Sequence, residues 1–170
     1  MAEEKSINKM REIKIDKVVL NIGATGEDLA KAVKLLEILT GRTPAKMQSK
    51  KRIPSLGVRP GLEVGAVVTI RKGYDEILKR MLIAIDNQIK KKQMSVNNFS
   101  FGIHEYIEVP GVEYHREIGI MGFDVTVVFK RSGRRVMLRK IKRGKVSKKQ
   151  RISPEEIMEF MTKKYETEFI

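Results

Sequence analysis

Apolar and polar positions alternate with changing period along the chain, and the changes mark its elements. "EIKIDKVVLNI", residues 12–22, is rich in Ile and Val and reads as a strand. Its alternation breaks at Lys17, which predicts either a bulge or a stretch buried on both faces. "GATGED" then turns the chain into a helix with Leu29, Ala32, Val33, Leu36 and Leu39 on one face, and Gly41 is placed to cap its C-terminus. "TPAKMQS" and "VGAVVTIRK" read as strands. "YDEILKRMLIAIDNQIKK", residues 74–91, carries the clearest helical signal. Ile77, Met81, Ile85 and Ile89 recur every four residues, with Leu78 and Leu82 beside them. Short extended pieces follow in "NFSFGI", "EYIEV" and "EYHREIGIM". "FDVTVVFK" alternates cleanly, placing Phe123, Val125, Val127 and Phe129 on one face. A last helix opens at "SPEE": Ser153 caps it, Pro154 suits its first turn, and Glu156 completes a capping box ahead of Ile157, Phe160 and Met161.

This order predicts an α+β fold: an antiparallel-rich mixed sheet with helices packed on one face and the other face open to a partner. The 170 residues suffice for a single domain with a real core, and no internal repeat is visible. It would carry an N-terminal tail at 1–11, a long basic protruding loop at 49–65 and a basic C-terminal arm at 131–151. No apolar run reaches membrane-spanning length and the first residues lack the apolar stretch of a signal peptide, so the expectation is a soluble intracellular protein without membrane contact. Cysteine is absent, which excludes disulfides and thiolate metal sites.

Charge sharpens the picture. Lys and Arg number 35 against 21 acids, a net +14, which favours an anionic partner. The arm "RSGRRVMLRKIKRGKVSKKQR" holds eleven of these cations and no acid, leaving only +3 on the rest of the chain. Its candidate contacts are Arg134, Arg135, Arg139, Lys140, Lys142, Arg143, Lys145, Lys148, Lys149 and Arg151. A polyanionic backbone is the partner that suits it, with affinity falling steeply as salt rises. Its apolar residues Val136, Met137, Leu138 and Ile141 are too few for a membrane anchor. The loop "SKKRIPSLGVRPGLEVG" has two prolines and three glycines that block regular structure, and Ile53, Leu56 and Val58 are too few to fold it into the core. Its cations Lys50, Lys51, Arg52 and Arg59 fit two readings, a disordered basic loop or a finger reaching a second anionic surface. The pattern does not separate them.

Other candidate chemistry is thin. "GATG" matches a backbone-clamping turn, but Glu27 and Asp28 in the following helical turn complement the dipole themselves and repel a phosphate there, so a plain tight turn is expected. His104 and His115 lack metal-ligand spacing. Acid–base chemistry with Glu105 or Glu113 has nothing in the spacing to favour it. No metal, cofactor or catalytic residue is expected.

The segments "VVLNIGATGED", "LTGRTPAKMQSKKRIPSLGVRPGLEVGAVVTIRK", "FSFGIHEYIEVPGVEY" and "IGIMGFDVTVVF", in this order, resemble the large-subunit ribosomal protein L-five family from about residue 12 to residue 166. The basic arm followed by "RISPEEIMEFMTKKY" is similar to its archaeal and eukaryotic branch. The resemblance implies a non-enzymatic RNA-binding protein of the ribosome's large subunit, in the cytoplasm, that binds 5S ribosomal RNA in the central protuberance. By position it implies RNA contacts at Asn21, Arg42, Thr43 and Thr69, with Lys46 and Arg71 flanking them. Arg42 stands where bacterial members carry Gln, so a base edge and a phosphate are both open to it. The resemblance further implies that loop 50–62, with Lys50, Lys51, Arg52 and Arg59, approaches the peptidyl-site transfer RNA. It adds 23S ribosomal RNA, neighbouring ribosomal proteins and a small-subunit bridge protein as partners. The rival readings are a free-standing nucleic-acid-binding protein without fixed assembly and an RNA-processing enzyme using His104 or His115.

Overall fold

In the computed structural model, residue 8 and residues 10–170 are described. The expected tail at 1–11 therefore lies, apart from Asn8, Met10 and Arg11, outside the described residues. The chain begins with β1 (Ile13–Gly23), α1 (Glu27–Thr40), β2 (Ala45–Gln48), β3 (Glu63–Ile70) and α2 (Tyr74–Ile83). It continues through β4 (Gln88–Ile89), β5 (Met94–Ser95), β6 (Asn98–Ile103) and β7 (Phe123–Arg131). The short α3 (Arg135–Leu138), α4 (Pro154–Tyr165) and β8 (Glu168–Phe169) close it.

Six strands form one sheet in the order β2-β3-β1-β7-β6-β5, and every neighbouring pair in it is antiparallel. Among the described residues, parallel pairing is confined to β4 and β8, a second, two-stranded sheet. The alternation expected for β7 holds, with Phe123, Val125, Val127 and Phe129 all buried. The irregularity at Lys17 is a bulge: the β1–β7 register shifts between Ile15 and Lys17, so Ile15 and Val18 both reach the core. Against that face lie Leu29, Ala32, Leu35, Leu36 and Leu39 of α1, Leu78, Met81 and Leu82 of α2, and Ile157 and Met161 of α4, in one core cluster. Phe129 joins sheet to helix, its ring stacked on Phe99 at 5.8 Å and edge-on to Phe160 at 5.8 Å. Truncating so enclosed a ring costs about 3–5 kcal/mol.

Local capping signals set the helix ends. Gly41 closes α1 in the left-handed region at φ 63°. At α4 both halves of the capping box are made: Ser153 Oγ accepts from the Glu156 amide at 3.3 Å, and the Ser153 amide donates to Glu156 Oε2 at 3.0 Å. The Asp75 carboxylate ties the start of α2 to the end of α4. It accepts from Lys164 Nζ and from the Tyr165 hydroxyl, each at 2.7 Å. These two bonds, Lys164 first, hold Asp75 below the usual carboxylate range. Burial, with the Asp75 hydrogen bond second, pushes the Tyr165 hydroxyl up.

Several expectations are corrected. The helix starting at Tyr74 ends at Ile83 and does not run to residue 91. Asp86 and Asn87 adopt positive φ, a conformation their side chains tolerate, and they reverse the chain so that Ile89 is buried through the β4–β8 pair. The buried stripe of α2 runs through Leu78, Met81 and Leu82, with Ile77 and Ile85 only partly buried. "EYIEV" and "EYHREIGIM" form no strands. Residues 104–122 cross the end of the sheet as turns anchored by buried Tyr106, Val109 and Ile118, and the Tyr106 hydroxyl accepts from the His115 amide at 2.9 Å. In the loop, residues 63–65 belong to β3. Val58 is buried, although it stands outside the main core cluster, while Ile53 and Leu56 remain exposed.

Candidate nucleic-acid interface

Alternation sends every second residue of β1, β3, β6 and β7 away from the helices. Directly opposed residues share a face, so the register fixes that surface. One row runs Ala45, Val67, Asn21, Asp124, Gly102 across five strands. The next runs Thr69, Val19, Thr126, Ser100, with the Ser100 and Thr126 hydroxyls 2.9 Å apart. Lys17, Val128 and Asn98 form a third. At the bulge, Asp16 pairs with Lys130 at 2.8 Å. The centre of the surface thus mixes small hydrogen-bonding side chains, Asn21, Thr69, Ser100 and Thr126, with valines and one exposed carboxylate, Asp124.

The expected contacts distribute unevenly over it. Asn21 and Thr69 sit on this face as diagonal neighbours, both half-buried. Arg42 and Thr43 are exposed in the α1–β2 turn, where Arg42 Nη2 donates to the Lys72 carbonyl at 2.9 Å and ties that turn to the one after β3. Arg71 is exposed just past β3. Lys46 opposes core residue Ala66, which puts it on the helix side of the sheet edge, with Nζ 3.1 Å from Glu63. Sequence reasoning did not name Ser100, Thr126 and Asp124. Their alternation with the buried residues of β6 and β7 was the available signal.

The two cationic projections leave opposite ends of this face. Loop 49–62 continues the β2–β3 hairpin beyond Gly23, the C-terminal end of β1. Ser49 and Leu62 close its base at 2.8 Å, and an Ile53–Val58 bridge spans a single turn of 3-10 helix at Pro54–Leu56. Lys50, Lys51, Arg52 and Arg59 are exposed on it and, among the described residues, have no side-chain partner.

The arm leaves β7 beside Ile13, at the N-terminal end of β1. The β1 strand of 11 residues separates the two ends by about 35 Å at ~3.3 Å per residue. Arg131 is not a free arm cation: its side chain is mostly buried, donates to the Lys149 carbonyl at 3.1 Å and pairs with Glu156. Arg134 donates to the Phe129 carbonyl at 3.0 Å. Asn97 clips the arm's end, its Oδ1 accepting from the Ile152 amide at 2.9 Å. Between these anchors Arg135, Arg139, Lys140, Lys142, Arg143, Lys145, Lys148, Lys149 and Arg151 are exposed, with no side-chain partner among the described residues. His104 and His115 are exposed, and among the described residues no cluster of three His, Asp or Glu is placed to hold a metal ion.

One covered face, one open face and cationic projections at both ends define an α+β protein suited to a polyanionic partner. Comparison with known families narrows this. Residues 8–59 match the family described as Ribosomal protein L5, and residues 63–161 match the description of that ribosomal family's C-terminus. The junction falls in the loop between β2 and β3, which pair with each other. Proteins named large ribosomal subunit protein uL5 are similar over most of their length. That of Nanoarchaeum equitans is 43% identical over 155 residues, covering 89% of this chain and 92% of its own. That of Sulfurisphaera tokodaii is 41% identical over 170 residues, covering 97% and 96%. That of Pyrobaculum aerophilum is 44% identical over 158 residues, covering 91% and 88%. The chain belongs to the ribosomal L5 family, whose members are structural ribosomal proteins and not enzymes.

Proposed function

We propose that this chain, as a component of the large ribosomal subunit in the cytoplasm, binds 5S ribosomal RNA on its open sheet face. Asn21 and Thr69 make buried polar contacts there, Arg42, Thr43 and Arg71 act at its margin, and the arm neutralises phosphates beyond one end. Lys46 lies at the sheet edge with an acid partner and contributes least. The loop, at the far end, reaches a second anionic target, the peptidyl-site transfer RNA, through Lys50, Lys51, Arg52 and Arg59. 23S ribosomal RNA and neighbouring ribosomal proteins, one of them in a bridge to the small subunit, complete the partners. The observation that carries the reading is the register: it gathers short neutral hydrogen-bonding side chains on the sheet face that no helix among the described residues covers. Such groups suit base edges and 2′-hydroxyls, while Lys and Arg suit phosphates.

The test is substitution within that face. Asn21→Ala or Thr69→Ala weakens 5S binding by about 1–3 kcal/mol for each buried hydrogen bond removed, with melting temperature unchanged. A melting temperature that collapses together with affinity assigns these residues to folding instead. Equal affinity of the unaltered chain for 5S RNA and a length-matched RNA at moderate salt overturns the reading and favours a general nucleic-acid binder.

A further inference from the structure

The open face carries a group that an electrostatic account of RNA binding does not want. Asp124 projects from β7 directly opposite Asn21 on β1 and Gly102 on β6, on the uncovered side of the sheet. It is exposed and, among the described residues, has neither an ion-pair nor a side-chain hydrogen-bond partner. By contrast Asp16, the acid at the β1 bulge, is matched by Lys130. A bare carboxylate repels phosphate, so a phosphate backbone laid over Asp124 is disfavoured. A carboxylate is also an acceptor with two oxygens and no donor. It accepts from donors and is repelled by acceptors beside them: guanine sets its N1–H and N2 amine side by side, cytosine's N4 amine has an acceptor on one side only, and adenine's N6 amine and uracil's N3–H are flanked by acceptors on both sides. Gly102 bears on the geometry: a Cβ there would come 3.3 Å from Asp124 Oδ1 and would meet nothing else within 4 Å. The carboxylate therefore leans toward β6 over a position without a side chain, which leaves room for a base between it and Asn21 on the other side of β7.

We infer that Asp124 is a specificity-determining residue of the RNA interface, accepting hydrogen bonds from the amino-bearing edge of an unpaired guanine or cytosine whose neighbouring position is held by Asn21. This rests on the proposed RNA-binding reading of the sheet face and adds to it a direction of preference. Asp124 lowers affinity for RNA in general and raises it for RNA that presents that edge.

The two contributions have opposite signs, which makes the inference testable with the full chain. Asp124→Asn keeps the shape, removes the negative charge and replaces one acceptor by a donor. The inference expects at least tenfold weaker binding to 5S RNA, and unchanged or tighter binding to a length-matched RNA of scrambled sequence, with no change in melting temperature. Gly102→Ala, which disturbs only the carboxylate's resting position, is expected to weaken 5S binding in the same direction and by less. Tighter or unchanged 5S binding by Asp124→Asn overturns the inference. So does a loss of 5S binding that disappears when magnesium is replaced by cobalt(III) hexammine, since that assigns the carboxylate to a bound metal ion. Inosine in place of guanosine, and zebularine in place of cytidine, delete the exocyclic amines one position at a time. A position whose replacement weakens binding to the unaltered chain but not to Asp124→Ala identifies the donor, and the lack of any such position refutes the assignment. If the unaltered chain does not prefer 5S RNA to the scrambled RNA, the proposed function fails. If it does and Asp124→Asn has no penalty, only this inference fails.

Discussion

Changing Lys140, Lys142 and Arg143 together to Gln separates phosphate-contacting charge from mere net charge. These three are exposed in the arm and, among the described residues, have no acid partner. The matched control changes Lys31, Lys34 and Lys164 to Gln. Each of these is already engaged, with Asp28 at 3.0 Å, Glu117 at 2.8 Å and Asp75 at 2.7 Å, and each stands on a helix. Both triple variants remove three charges from the same total of +14. Each neutralised phosphate contributes about 0.9 to the slope of log affinity against log salt. Removing all three arm cations from phosphates therefore lowers the slope by up to about 2.7, and removing two by about 1.8. At 0.1 M salt the latter corresponds to about 60-fold weaker binding, since each released counterion is worth about eightfold relative to 1 M. Affinity for 5S RNA measured from 0.1 to 0.5 M monovalent salt at constant magnesium gives both slopes. The arm variant gives up at least about 1.8 of slope, and the control less than half as much. Equal reductions refute the reasoning, because they show that the RNA senses total charge and not the arm's unpartnered cations.

Three further outcomes follow from the same structure. Changing Lys50, Lys51 and Arg52 to Gln leaves 5S affinity within about twofold, because the loop projects past the end of β1 and its exposed cations stand off the sheet face, and it impairs transfer-RNA binding to reconstituted ribosomes. Unaltered transfer-RNA binding rejects the finger reading. Glu156→Ala removes half of the α4 capping box and the acid partner of the mostly buried Arg131 together, costing about 1 kcal/mol for the cap and about 1.5–3 kcal/mol for the charged hydrogen bond. Glu159→Ala, one turn on and exposed, changes stability by less than about 0.5 kcal/mol in a denaturant titration. Because Asp75 is held below its ordinary value of 3.8, its contribution to stability is present above that pH and is lost as pH falls through the depressed value. Asp75→Asn therefore flattens the acid limb of a stability–pH curve, and an unchanged limb contradicts the link.

Features written locally in the chain are legible from the order of residues alone. The capping box at Ser153 and Glu156, the left-handed cap at Gly41 and the alternation of β7 each depend on a few adjacent residues, and all are present; at Lys17 the broken alternation leaves a bulge and a doubly buried stretch open, and the bulge is what forms. Long-range pairing defeats local reading. The four-residue period through Ile85 and Ile89 looks helical because β8, which pairs with Ile89 and its neighbour to bury it, lies about eighty residues away in sequence. The Asp86–Asn87 reversal competes with that period and prevails. The same holds for the interface. Alternation places Asp124 on the outward side of its strand, but only the register, with β7 beside β1, brings it against Asn21. Lys46 shows the converse: its sequence position suggests a member of the RNA-facing group, yet its pairing with Ala66 puts it on the covered side.

The most direct test places a photoactivatable crosslinker, one position at a time, in the chain bound to 5S RNA. Positions 19, 69 and 126 sample the open sheet face, and positions 37 and 159 sample the exposed sides of α1 and α4. The account predicts efficient RNA adducts from the first three and few from the last two. Adducts confined to the helical positions, with the sheet positions silent, contradict it.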